Sequence, residues 1–204
     1  MNARAMMALT DADVCESLHI RAARAMPHVI EAAASGRAKC RGCDQAIAKG
    51  ELRFGERLPN AFGEGEMTLW FHLLCAAYKR PESLLEALRG MDAGARAAVG
   101  RASELEAAAE FGIAHRRLPR VTGADRAPTA RARCRHCREL IAKDSWRIAL
   151  VFFEEYRFQP SGFIHAACAR DYLETTDLVE RVRHFSPKLS PADLDDLAAA
   201  LAQS

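Results

Sequence analysis

Two copies of one cysteine–histidine pattern constrain this chain more than anything else in it. Cys40-Arg41-Gly42-Cys43 is followed, after 28 residues, by His72-Leu73-Leu74-Cys75; Cys134-Arg135-His136-Cys137 is followed, after 27, by His165-Ala166-Ala167-Cys168. Two cysteines separated by two residues can approach one ion from a single tight turn, and a His-x-x-Cys on a facing element closes a tetrahedron. Each set offers three thiolates and one imidazole. Four protein ligands leave no position for an activated water, so the expected cofactor is structural Zn²⁺, two ions per chain. Three thiolates and a dication sum to one net negative charge per site, which nearby Arg and Lys help offset. Because such binding is part of the folding free energy, the apo chain is expected to lose much of its tertiary order.

The cysteine count fits metal better than disulfides. Seven are present, six of them in the two sets, with Cys15 alone. A disulfide framework would call for an even count and a secretory signal. The first 20 residues carry Asp11, Asp13 and Glu16 and no continuous apolar core, and no apolar run reaches the roughly 18 residues of a membrane span. The expectation is a reducing, intracellular compartment with no membrane partner. Arg outnumbers Lys 24 to 5, a composition suggesting a GC-rich genome. The expected location is therefore cytoplasmic and nucleoid-associated if bacterial, or nuclear if eukaryotic.

The second pattern is a copy of the first. A shift of 94 aligns Cys40 with Cys134, Ile47 with Ile141, Lys49 with Lys143 and Arg53 with Arg147, and a shift of 93 aligns His72 with His165 and Cys75 with Cys168. The one-residue slip is expected in the intervening loop, where length changes are tolerated. The fold class expected is α+β: two small zinc-stabilised domains, each a short antiparallel sheet plus helices, joined by a helical and Arg-rich linker. The boundaries are 1–34, an N-terminal helical segment whose Val29, Ile30 and Ala33 continue the helix; 35–90, the first unit; 91–130, a helix over 93–111 and a basic linker; and 131–204, the second unit with C-terminal helices. Met67 to Phe71 reads as a strand delivering His72, Pro81 opens a helix with Leu84, Leu85 and Leu88 on one face, and Ser190-Pro191-Ala192-Asp193 reads as a capped helix start. His136, inside the second Cys-x-x-Cys, reads as exposed and not as a ligand.

Net charge is only +2, but its distribution is uneven: eight arginines against one acid between Arg116 and Arg138, then seven acids against three bases from Asp171 onward. A basic middle with an acidic tail is a footprint for a polyanion partner, or else a solvated linker.

The run 35–43, the run Ile47-Ala48-Lys49-Gly50-Glu51-Leu52-Arg53-Phe54-Gly55 and the closing Trp70-Phe71-His72-Leu73-Leu74-Cys75 resemble the PARP-type zinc finger. This is the DNA-break-sensing finger of poly(ADP-ribose) polymerase and of one class of eukaryotic DNA ligase. The second unit is similar but more divergent: it lacks the Ser-Gly, and Gly162-Phe163-Ile164-His165 replaces Trp-aromatic-His. The resemblance implies phosphate contacts by Arg37 and Arg53, and by Arg131 and Arg147 in the second unit. It also implies stacking on bases exposed at a break, for which Phe62 in the first loop and Tyr156, Arg157 and Phe158 in the second are the candidates; Arg53 and Arg147 could instead compensate thiolate charge. Guanidinium forks suit phosphate oxygens and give affinity without sequence preference. The function implied is non-enzymatic binding of DNA, structure-specific and not sequence-specific. The alternative is a zinc-scaffolded adaptor for a protein partner, with the Ala-rich helix and acidic C-terminal helices as its surfaces. No Ser-His, paired-carboxylate or open-metal constellation suggests an enzyme.

Overall fold

A computed structural model of the protein describes residues 27–60 and 63–203. Nearly all of the expected N-terminal helical segment, with Cys15, lies outside the described residues, as does Phe62. The described chain folds into two three-stranded antiparallel sheets flanked by helices. The first sheet, in the order β1-β2-β3, comprises β1 (Val29–Ala32), β2 (Leu52–Pro59) and β3 (Glu66–His72). Helices α1 (Leu73–Lys79), α2 (Pro81–Arg89), α3 (Ala93–Val99) and α4 (Ala102–Ala114) follow. The second sheet repeats the layout with β4 (Val121–Arg126), β5 (Trp146–Glu154) and β6 (Arg157–His165). It is followed by α5 (Ala169–Leu173), α6 (Val179–Phe185) and α7 (Pro191–Ala202).

Three expectations are corrected. Val29 and Ile30 do not continue a helix: these β-branched residues form β1, and Ile30 pairs with the fully buried Phe54 of β2. The helix expected over 93–111 is two helices, because Gly100 takes a left-handed φ of 72° and closes α3. The 91–130 linker is not free chain, since it holds α3, α4 and β4. Its arginines hide a strand whose Val121 and Ala124 are buried in the second core.

The duplication is carried into the register. Arg53 stands opposite His72 and next to Glu31 on β1, as Arg147 stands opposite His165 and next to Asp125 on β4. The one-residue slip is not confined to a loop. β5 and β6 meet in a tight turn in which Glu155 and Tyr156 both take positive φ, 48° and 63°, and their register shifts between Ala149 and Val151. Gly55 and Trp70 face each other where the second unit has Ala149 and Phe163. A Cβ on Gly55 would come within 2.7 Å of the Trp70 ring, so the larger ring requires the glycine.

Each unit has its own core, centred on Ile47, Phe54, Phe71, Leu84 and Leu88 in the first and on Leu118, Ile141, Ile148, Ile164 and Leu197 in the second. The first cysteine of each set, Cys40 or Cys134, is buried within it. The units also pack on each other through α1. Lys79 Nζ, buried, donates to Val121 O at 2.7 Å beneath the ring of Phe185, and burial together with the nearby Arg181 brings its pKa down to about 7. Arg181 donates to Tyr78 O at 2.7 Å, and the β5–β6 tip places Phe153, Tyr156 and Phe158 against the first core.

Glu56 of β2 is fully buried and receives Arg80 (2.6–2.9 Å) and Ser83 Oγ (2.7 Å), while the Arg80 guanidinium lies 4.2 Å from the Phe153 ring centre. Removing one partner of a buried pair leaves an uncompensated charge. Arg80→Ala is therefore expected to lower stability by about 3–5 kcal/mol in urea unfolding of the zinc-loaded protein; a loss below about 1 kcal/mol, typical of a surface pair, would contradict this assignment.

Candidate metal centres and nucleic-acid interface

Each Cys-x-x-Cys sits in a turn between the first and second strands of its sheet, and each His-x-x-Cys spans the end of the third strand and the helical turn after it. In both units the four ligand atoms lie within 4.8 Å of one another. His72 Nδ1 is 3.3 Å from Cys43 Sγ and 3.8 Å from Cys75 Sγ; His165 Nδ1 is 3.4 Å from Cys137 Sγ and 3.8 Å from Cys168 Sγ. Tetrahedral zinc with ordinary Zn–S and Zn–N lengths spaces its ligand atoms about 3.5–3.8 Å apart, so both groups fit the ion. The other imidazole nitrogen is used in the same way twice: Nε2 of His72 faces Ala46 O at 3.3 Å and Nε2 of His165 faces Leu140 O at 3.2 Å. A proton held there leaves Nδ1 free as the ligand. Backbone N–H groups of Gly42 and His72 donate to Cys40 Sγ, as those of His136 and His165 donate to Cys134 Sγ.

The crowding of the thiols favours a divalent cation among them. Hydrogen bonds from Cys40 and Cys75 hold the Cys43 thiol far below its ordinary range, while Cys75 is pushed far up by the same neighbours and by burial. In the second group burial opposes ionisation of Cys134, but N–H groups of His165, Cys137 and His136 bring it down to about 7; burial and Cys134 push Cys168 up to about 12. One thiolate forms readily and the last resists, until a divalent ion takes up the charge. The eight ligands expected from sequence are thus brought together as two Cys3His sites, and the protein holds two structural zinc ions.

The other expected contact residues divide. Arg53 and Arg147 are mostly buried, with side chains 11% and 13% exposed. Arg53 donates to Glu31 at 2.6 Å and stacks 3.5 Å from the Trp70 ring centre; Arg147 forks onto Asp125 at 2.9 and 2.7 Å and stacks 3.8 Å from Phe163. Each is held between an acid of the first strand and an aromatic of the third, so neither offers a free guanidinium. Tyr156 and Phe158 sit at the junction between units: Tyr156 Oη donates to Pro59 O at 2.8 Å and Phe158 meets Phe71 edge-on. Both rings thus take part in the contact between the units. Arg37, Arg131 and Arg157 are exposed. His136 is exposed and outside the ligand set, as expected.

His184 was not found by sequence reasoning. Its Nε2 reaches Cys75 Sγ at 3.0 Å across 109 residues, from α6 of the second unit onto a zinc ligand of the first, and its ring meets Tyr78 edge-on. No local spacing signals such a contact. Burial lowers the His184 pKa, keeping the ring neutral and able to donate one N–H to a thiolate. Cys137 is exposed whereas Cys40 and Cys75 are buried, so chelator should strip the second ion faster than the first. Outer-shell substitutions cost about 10–100-fold in metal affinity. His184→Ala should accelerate the slow phase of zinc release to a dye chelator and leave the fast phase unchanged; an unchanged slow phase would contradict the contact.

With the geometry established, comparison with known proteins locates the first unit. Residues 31–109 match the family described as the poly(ADP-ribose) polymerase and DNA-ligase Zn-finger region. That stretch begins in β1 and ends in α4, wider at both ends than the 35–90 expected from sequence. Relatives include poly [ADP-ribose] polymerase 1 of Caenorhabditis elegans, 37% identical over 33% of this chain and 8% of the relative. Poly [ADP-ribose] polymerase of Sarcophaga peregrina is 30% identical over 63% of this chain and 14% of its own length, and poly [ADP-ribose] polymerase 1 of Oryza sativa 28% over 68% and 14%. The chain thus spans about a tenth of these relatives. They come from a nematode, an insect and a plant, which lends no support to a bacterial nucleoid. Residues 31–109 hold a PARP-type zinc finger, with its Cys3His site built from Cys40, Cys43, His72 and Cys75.

Proposed function

We propose that this chain is a non-enzymatic DNA-binding protein in which a PARP-type finger and a divergent second copy grip duplex phosphates at breaks or distortions. The observation that carries this reading is the contrast among its arginines. At equivalent positions three residues before the first ligand of each set, Arg37 and Arg131 are exposed, and among the described residues neither has a carboxylate within salt-bridge reach. Arg157, exposed at the start of β6, adds a third such group. Phosphate contacts of this kind supply affinity without reading bases. Arg53 and Arg147 take a different part: stacked under their strands, they stiffen the frame that presents the turn. With all four zinc positions taken by protein, the metal supplies shape and no activated water.

Competition anisotropy with nicked, blunt-ended and closed circular DNA across a salt series tests the reading. Nicked and blunt-ended DNA should compete better than closed circles, and log affinity should fall linearly with log salt. Arg37→Ala with Arg131→Ala should weaken binding and reduce the slope by about one per lost phosphate contact, with zinc content unchanged. Equal, feeble competition by all three DNAs, or affinity insensitive to salt, would sink it.

A further inference from the structure

The arginine-rich stretch 116–138 is folded rather than free, and part of it closes a pocket on the second unit. The cavity, about 400 Å³, is lined by Arg117, Arg120, Arg135, His136, Arg138, Ser161 and Tyr172. That volume is within the range of sites for small ligands, about 300–1,000 Å³. Arg117 and Arg120 come from the turn before β4, Arg135 and Arg138 from the second Cys-x-x-Cys loop, and Tyr172 from α5.

Although the buried Arg181 rests on the Tyr78 carbonyl, several other arginines of the chain are neutralised by carboxylates. Arg53, Arg80, Arg96, Arg126 and Arg147 each have one. The pocket arginines do not: among the described residues no carboxylate lies within 4.0 Å of Arg117, Arg120, Arg135 or Arg138. Two are fixed by neutral carbonyls instead. Arg117 Nη1 donates to Tyr172 O at 3.0 Å, with its guanidinium 4.9 Å from the Tyr172 ring centre, and Arg135 Nε donates to Ser161 O at 2.8 Å. Arg135 also lies over Gly162, where a Cβ would meet its Nε at 3.1 Å. All four side chains are exposed; those of Arg117 and Arg135 are held in place, and their remaining guanidinium nitrogens face no carboxylate.

The formal charge of the site indicates what would complete it. Four guanidinium groups face one net negative charge on the zinc complex beside them and one carboxylate, Asp171, whose Oδ2 is 3.7 Å from His136 Nε2. About two positive charges are left over. A phosphodiester carries one negative charge, whereas a terminal phosphate carries about 1.5–2 at neutral pH and offers three acceptor oxygens. Tyr172 supplies a ring beside the charged end for a sugar or base attached to it.

We propose that this pocket binds a phosphomonoester dianion, presented by the end of a nucleic-acid strand or by a free mononucleotide. The inference goes beyond duplex binding and does not require it. Arg120 and Arg138 are the variants of choice, because neither guanidinium holds the fold. Arg138 has a φ of 70°, so Arg138→Asn suits the backbone, paired with Arg120→Gln.

The test uses zinc-loaded full-length protein with a labelled hairpin duplex bearing either a 5′-phosphate or a 5′-hydroxyl, and separately with a 5′-mononucleotide or its nucleoside. Charge-assisted hydrogen bonds to a terminal phosphate should give at least about a tenfold preference for the phosphorylated member of one or both pairs. The double variant, with two zinc ions retained, should reduce that preference to under about twofold. Preference for the mononucleotide alone identifies a free-ligand site and would stand even if no duplex were bound. Preference for the phosphorylated duplex alone assigns the site to strand ends. Equal binding within both pairs, no binding by any of the four, or a preference that survives the double variant would overturn the inference.

Discussion

The structure depends on the repulsion between three thiolates packed within a few ångströms of each other and on the divalent charge that relieves it. Cys40 and Cys134 are core residues as much as ligands, and each receives two backbone N–H bonds that shape its turn. The metal therefore joins the Cys-x-x-Cys turn to the third strand of a sheet too small to bury a large core alone. Everything outward from that point is arranged around it: the imidazole oriented by a carbonyl, and the second-strand arginine stacked on the aromatic two residues before it.

The second organising contact joins the units. α1 carries Cys75 and presents Tyr78 and Lys79 to the second unit, so the element that completes the first metal site also forms the junction. The β5–β6 tip holds two non-glycine residues at positive φ, and Tyr156, one of them, is anchored on Pro59. The two units are therefore not beads on a linker. Their duplication is kept where metal geometry demands it and has diverged where the second hairpin serves the first unit's core.

What was legible in the sequence follows from the range of each signal. The ligands were legible because thiolate and imidazole spacing is local and rare. β3, α2 and the Ser190 cap of α7 were legible from short-range pattern, and the cap is present with Asp193 closing the box. β4 was hidden by arginines flanking a few apolar residues, and β1 by the reading of Val29, Ile30 and Ala33 as the continuation of a helix. The roles of Arg53 and Arg147 were not readable, because their acids lie 22 residues upstream on another strand and a guanidinium suits carboxylate as well as phosphate. Tyr156, Phe158 and His184 serve contacts between units, which no window of sequence contains.

The phosphate recognition proposed above rests on arginines ahead of the two Cys-x-x-Cys turns and in the pocket beside the second site. It presupposes both metal-held turns. The most direct test of that foundation is zinc X-ray absorption with metal analysis on the purified, reducing-buffer protein. Two zinc ions per chain should be found, with an average first shell of three sulfurs at about 2.3 Å and one nitrogen at about 2.0–2.1 Å. One ion per chain, or a shell dominated by oxygen, would contradict the account.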